Sequence, residues 1–91
     1  MRFLVQRVTE ASVTVDNIVT GKIGKGFLVL IGITHSDTKD DADFLINKLL
    51  NLRVFSDENG KMNLNINQVN GELLLVSLYM LILLMEIDLI F

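Results

Sequence analysis

Cysteine, proline and tryptophan are all missing from these 91 residues. Without cysteine there is no disulfide staple, no thiol nucleophile and no zinc site built on thiolates. The single histidine, His35, is too few for a poly-histidine metal site. Positive charge is scarce as well. Eight Lys and Arg against eleven Asp and Glu leave a net charge of −3, which excludes a basic tail that would grip nucleic acid by charge alone. All the basic residues lie at or before Lys61, and from residue 73 to 91 only Ser77, Glu86 and Asp88 interrupt an apolar run. A chain of this size buries only somewhat over ~60% of the surface its unfolded form exposes, so one core and one domain are expected. The 51% hydrophobic content and mean hydropathy of +0.49 are high for a soluble domain, and the excess resides in that tail. Residues 1–72 read as an ordinary soluble mixture of helix and strand, without internal repeat or low-complexity stretch. The first six residues turn polar too early for a secretory leader, which makes the cytoplasm the expected compartment.

Ala11, Val13 and Val15 alternate with Ser12, Thr14 and Asp16, the period of a half-buried strand. Asp16-Asn17 is a two-residue hairpin signal, and 18–23 is the returning antiparallel strand. Gly21, Gly24 and Gly26 mark a second turn before 27–33, a continuous apolar run expected to form a central strand buried on both faces. Gly32 within it suggests a bulge or a close backbone approach. Asp37 or Thr38 is placed to cap a helix, with Asp40, Asp41 and Asp43 in its first turns, where the macrodipole favours negative charge. Ala42, Leu45, Ile46, Leu49 and Leu52 then form one apolar stripe. Val54-Phe55 is a short extended piece, Asp57-Glu58-Asn59-Gly60 and Asn70-Gly71 are turns, and 73–76 is a further strand. The expected fold is mixed α+β: a strongly bent antiparallel sheet or partial β-barrel with one amphipathic helix packed outside.

Several residues invite a chemical reading. Gly21-x-x-Gly24-x-Gly26 resembles a phosphate loop only loosely, because it leads into a strand and fits neither nucleotide-binding spacing; a hairpin accounts for it. The aspartates at 37, 40, 41 and 43 are spread around a helix axis, which suits capping better than a cation, so no metal is expected. The 57–60 turn lacks the glycine position and bidentate Glu of a calcium loop. His35 has no Ser or Cys nearby in sequence and reads as a loop residue. Arg7, between Val5 and Val8, requires acceptors if it points inward and is an ordinary strand residue if it points outward. Ser77 closes an apolar strand and offers a hydroxyl that serves either a site or the sheet itself.

Taken in order, Leu4-Val5-Gln6-Arg7-Val8, Ala11-Ser12-Val13-Thr14-Val15, the Gly21 to Gly32 segment, Asp41-Ala42-Asp43, Lys48-x-x-Asn51-Leu52-Arg53-Val54-Phe55 and Gly60-Lys61-Met62-Asn63 closely resemble the D-aminoacyl-tRNA deacylase family. The resemblance covers residues 1 to about 77. It implies a small β-barrel with helices outside, a cytoplasmic homodimer without metal or organic cofactor, and hydrolysis of the ester joining a D-amino acid or glycine to the 3′ end of tRNA. Family sites lie in a Ser-Gln-x-x-Thr motif and a later Gly-Pro motif that excludes L-amino acids. Ser77 matches the motif serine and is the carried-over catalytic position, but Leu78 stands where Gln belongs and Met80 where Thr belongs. No Gly-Pro pair exists in a chain without proline. Arg7 matches a family arginine close to the pocket and is the carried-over substrate-binding position. In the family mechanism the terminal ribose hydroxyl of tRNA helps to activate water while backbone donors steady the oxyanion.

After Ser77 the family continues through Leu-Tyr-Ala-Asp and Gly-x-Arg-Pro, whereas this chain continues Leu78-Tyr79-Met80 and stays apolar. A permitted back-translation of 80–91, read two bases later, yields Ala-Asp-Thr-Thr-Asn-Gly-Asn-Arg-Pro-Asp-Phe. A shifted frame after Ser77, with Gln-Phe-Thr deleted, therefore accounts for the tail. The expected division is 1–77 as a deacylase-like barrel fragment, truncated at its C-terminal side, and 78–91 as an aberrant apolar tail of the same domain that leaves apolar surface exposed. As a membrane segment, 73–85 falls short of the ~20 residues a spanning helix needs and has no basic flank. The functional expectation is an inactive relative of the deacylases; the alternatives are a non-catalytic remnant that pairs through an open sheet edge, or a small membrane-anchored protein.

Overall fold

The computed structural model describes residues 1–77 and 85–90, and of Met85 and Glu86 only the backbone. The Asp16-Asn17 turn forms as its sequence dictates, with positive φ values of 51° and 65° joining β2 (Glu10–Val15) to β3 (Ile18–Ile23). A bulge interrupts this pair where Val13 faces Gly21 and Thr14 faces Val19. That leaves Thr20 as the extra residue, and its hydroxyl donates to the Val13 carbonyl at 3.2 Å. β1 (Arg2–Val8) and β4 (Gly26–Gly32) pair antiparallel without a break from Arg2 opposite Gly32 to Val8 opposite Gly26. Of the two readings of Gly32, a bulge or a close backbone approach, the bulge does not occur in this pair.

β4 is the centre of a three-stranded sheet ordered β1-β4-β7, with β7 spanning Glu72–Ser77. The mixed α+β class and the one described helix beside the sheets agree with expectation, and no barrel closes among the described residues. One pairing differs from the antiparallel expectation: β4 and β7 run parallel, from Gly26 opposite Glu72 to Ile31 opposite Ser77. The reason lies in the connection. Between the two strands run α1 (Lys39–Asn51) and a small hairpin of β5 (Phe55–Ser56) and β6 (Met62–Leu64), a crossover long enough to return the chain in the same direction.

Thr38 precedes the helix in extended conformation, and the Asp41 carboxylate accepts its backbone N–H at 2.9 Å. From α1, Leu49 packs with Phe27, Val29, Phe55 and Ile66 over one face of the β4 sheet. The other face meets a second sheet ordered β3-β2-β8, where Val13 touches Leu28 and Val76. β8 (Met85–Ile90) lies in the apolar tail and pairs antiparallel with the whole of β2. Its Ile87 and Leu89 join the core between the sheets while Asp88 stays exposed. The tail is therefore not simply an uncovered surface over 85–90, because its alternation of apolar and acidic residues suits a strand. The 77/78 division and Leu78 and Met80 fall at or beyond the edge of the described residues.

Candidate functional site

Arg7 stands on β1 opposite Phe27, on the same face of the sheet as Phe3 and Val5, so its direction is toward the layer that holds α1 and β5. It lies at the rim of that layer rather than within it, and remains exposed. Its Nη1 donates to the Val54 carbonyl and approaches the Met62 sulfur at 3.3 Å. The guanidinium thereby ties β1 to the start of the β5–β6 hairpin, 47 residues away in sequence. With Arg7, a cavity of about 370 Å³ is lined by Gln6, Thr9, Lys25, Phe55 and Ser56. A second hollow of about 310 Å³ is lined by Arg7 with Val5, Phe27, Leu52, Val54 and Met62. Lys25, Thr9 and Ser56 were not legible as site residues, because β1, the β3–β4 turn and β5 meet only through the fold.

Ser77 ends β7 opposite Ile31, exposed, beside a small hollow of about 130 Å³ that also involves Val13, Thr20 and Gly21. Arg7 and Ser77 occupy the same face of the sheet, since Phe27 and Ile31 opposite them share that face. They are not neighbours. Strand β4 separates them, and Phe27 and Ile31 are four residues apart, roughly 13 Å along the strand at ~3.3 Å per residue. The two hollows at Arg7 do not include Ser77, and the hollow at Ser77 does not include Arg7. Within one chain, then, the two carried-over positions are held on a common surface but at opposite ends of it.

The remaining candidates resolve into structural roles. Gly26 lies against the Glu72 backbone, and the Gly24 N–H donates to Glu72 Oε1 at 3.1 Å, so this glycine segment seats β7. Asp37 accepts from the Met1 ammonium and from the Thr34 N–H, both at 2.6 Å, which holds its carboxyl below the usual carboxylate range. Asp43 pairs with Lys39 at 2.7 Å along an exposed helix face. Asp57 is also held low, first by the backbone N–H of Lys61 and further by that of Asn59, in a turn closed by Gly60 at φ +76°. His35 is exposed in the turn after β4. Among the described residues no group of three or more His, Cys, Asp or Glu side chains is placed to hold a metal ion, and no helix is long and apolar enough to cross a membrane.

This arrangement of strands has close relatives. The D-aminoacyl-tRNA deacylase of Bacillus velezensis is 56% identical over 81 residues, covering 89% of this chain and 55% of that protein. The corresponding protein of Clostridioides difficile is 54% identical over 81 residues, with 89% of this chain and 54% of that one covered. The solved structure of a c-Myc DNA Unwinding Element Binding Protein superimposes with a TM-score of 0.82 at 44% identity, covering 89% of this chain and 55% of that chain. The chain spans about half the length of the curated relatives it matches. A family model described as D-Tyr-tRNA(Tyr) deacylase matches residues 4–85. Since that match takes in most of β1, the whole of β2 to β7 and the helix, this chain belongs to the D-Tyr-tRNA(Tyr) deacylase family.

Proposed function

We propose that this chain carries the N-terminal part of a cytoplasmic D-aminoacyl-tRNA deacylase, a homodimeric hydrolase that cleaves the ester between a D-amino acid or glycine and the 3′ end of tRNA without metal or organic cofactor. The observation that carries this reading is the family match over residues 4–85, supported by relatives of that name at 54–56% identity. Arg7 is assigned to substrate binding and Ser77 to the catalytic motif. Their separation on the sheet suits a site completed by residues outside one copy of this stretch, because they stand at positions roughly 13 Å apart along the strands.

The 91 residues alone lack what the reaction needs. Leu78 and Met80 replace the motif Gln and Thr, and there is no proline for a Gly-Pro filter. Residues that act as a unit lose activity far more than additively when part of the unit is gone. Purified chain incubated with D-tyrosyl-tRNA is therefore expected to release no more amino acid than buffer does. A chain with Gln-Phe-Thr inserted after Ser77 and the alternative frame restored is expected to hydrolyse the ester, and failure of that restored protein overturns the reading.

One observation favours the second reading, a pairing remnant. Leu73 and Leu75 lie on the helix-bearing face of the sheet yet are 38% and 55% exposed, and no described strand pairs with the outer side of β7. An open edge beside uncovered leucines is a surface for another copy. Sedimentation equilibrium tests the pairing reading, and a monomer at all concentrations removes it.

A further inference from the structure

We propose that the cavity between Arg7 and Lys25 is a phosphate subsite that takes a backbone phosphodiester of bound RNA, an assignment that rests on the tRNA reading above. The chain as a whole is acidic, yet this cavity of about 370 Å³ is lined by two cations and no carboxylate. The volume falls within the range of small-ligand sites, ~300–1,000 Å³, and is ample for a phosphate with part of its sugar. Two basic residues lining one hollow in a net-negative protein create a local positive field, the footprint by which nucleic acid is recognised when net charge does not provide it.

The nearby acids are occupied elsewhere. Glu72 donates its N–H to the Lys25 carbonyl at 2.9 Å, but its Oε1 accepts from the Gly24 N–H. Asp57, next to Ser56, is taken up by the N–H groups of Asn59 and Lys61. Glu10 lines a different hollow, with Lys22 and Asp88. Among the described residues the Lys25 ammonium has no acceptor, and Arg7 is held only through Nη1. The anchoring of Arg7 on the Val54 carbonyl fixes the guanidinium and leaves its other nitrogens to donate, which suits an oxyanion of tetrahedral geometry. Ser56, also in the lining, adds a residue with a neutral hydroxyl donor.

The test uses the full chain and two probes, inorganic phosphate and deacylated tRNA. Phosphate is expected to shift the amide resonances of Thr9, Lys25 and Ser56, and Lys25→Ala is expected to abolish the shift. In tRNA titrations at several KCl concentrations, Lys25→Ala is expected to reduce the slope of log affinity against log salt by about 1, the loss of one phosphate contact. Lys25→Arg keeps both responses, and Lys39→Ala, on the far helix, changes neither. Unmoved amides with phosphate, or a Lys25→Ala slope equal to that of the parent, overturns the subsite. Failure of the tRNA reading has a different signature: the parent chain binds no tRNA while phosphate still moves the cavity amides, which overturns RNA as the occupant.

Discussion

A methyl group on Gly26 would overlap the carbonyl oxygen of Glu72, the residue directly opposite it where β4 and β7 begin to pair. That overlap is with backbone, which cannot turn aside as a side chain does. The parallel pairing that completes the helix-bearing sheet therefore depends on a missing Cβ at one position. Gly26→Ala is expected to destabilise the fold at or above the upper end of about 1–3 kcal/mol, as overpacking does. A urea midpoint equal to that of the parent chain would disprove this account of Gly26.

Phe27 on β4 and Leu75 on the neighbouring β7 face the same side, but Phe27 is 1% exposed under α1 and in contact with Phe55, ring centroids 5.0 Å apart, whereas Leu75 is 55% exposed. Phe27→Ala is expected to cost about 3–5 kcal/mol, a large share of the ~5–15 kcal/mol that holds a small domain together. Leu75→Ala is expected to change folding stability by no more than about 0.5 kcal/mol in dilute solution. Chemical unfolding of the two variants side by side checks the contrast.

Acid is expected to weaken the molecule through Asp37 and Asp57. Hydrogen bonds from the Met1 ammonium and the Thr34 N–H stabilise the ionised form of Asp37, and those from Lys61 and Asn59 do so for Asp57. Both groups titrate lower in the folded chain than in the unfolded one, so their contribution is complete above the ordinary carboxylate range near ~3.9 and disappears as pH falls through the lowered values. Asp37→Asn is accordingly less stable than the parent at pH 7, and the gap closes in strong acid. Urea midpoints across pH that keep a constant gap would contradict this assignment.

The frame of the gene provides a prediction about nucleotides rather than about the protein. If a shift produced the tail, the coding DNA for residues 80–91, read two bases later, contains a Gly-x-Arg-Pro stretch. Sequencing that segment decides the point directly, and its absence removes the explanation. The β8 pairing with β2 does not depend on the answer, since alternation alone suits 87–90 to an edge strand.

Much of the fold was legible in the residues because its signals are local. Asp16-Asn17 tolerates positive φ, so the β2–β3 hairpin follows from two side chains. The spacing of Ala42, Leu45 and Leu49 and the aspartates ahead of them define α1. The β8 strand was not legible in the residues: 78–91 reads as one apolar tail, because hydropathy obscures the period of two in which Ile87 and Leu89 alternate with Asp88. The ordered matches from Leu4 to Asn63 carry the family resemblance in the sequence itself.

Other features depend on residues far apart in the chain, and no local pattern encodes them. The parallel direction of β7 is set by the crossover through α1 and the β5–β6 hairpin, whose length does not by itself say on which side of β4 the chain will return. The bulge sits at Thr20 rather than Gly32 because register is a property of two strands together. The distance between Arg7 and Ser77, and the meeting of Arg7 with Lys25 across a hollow, arise only when sheets pack. Composition and periodicity determined which elements form and to which family they belong, since those depend on neighbours in sequence; the tertiary structure decided which side chains share a cavity, since that is fixed by contacts closed over dozens of residues.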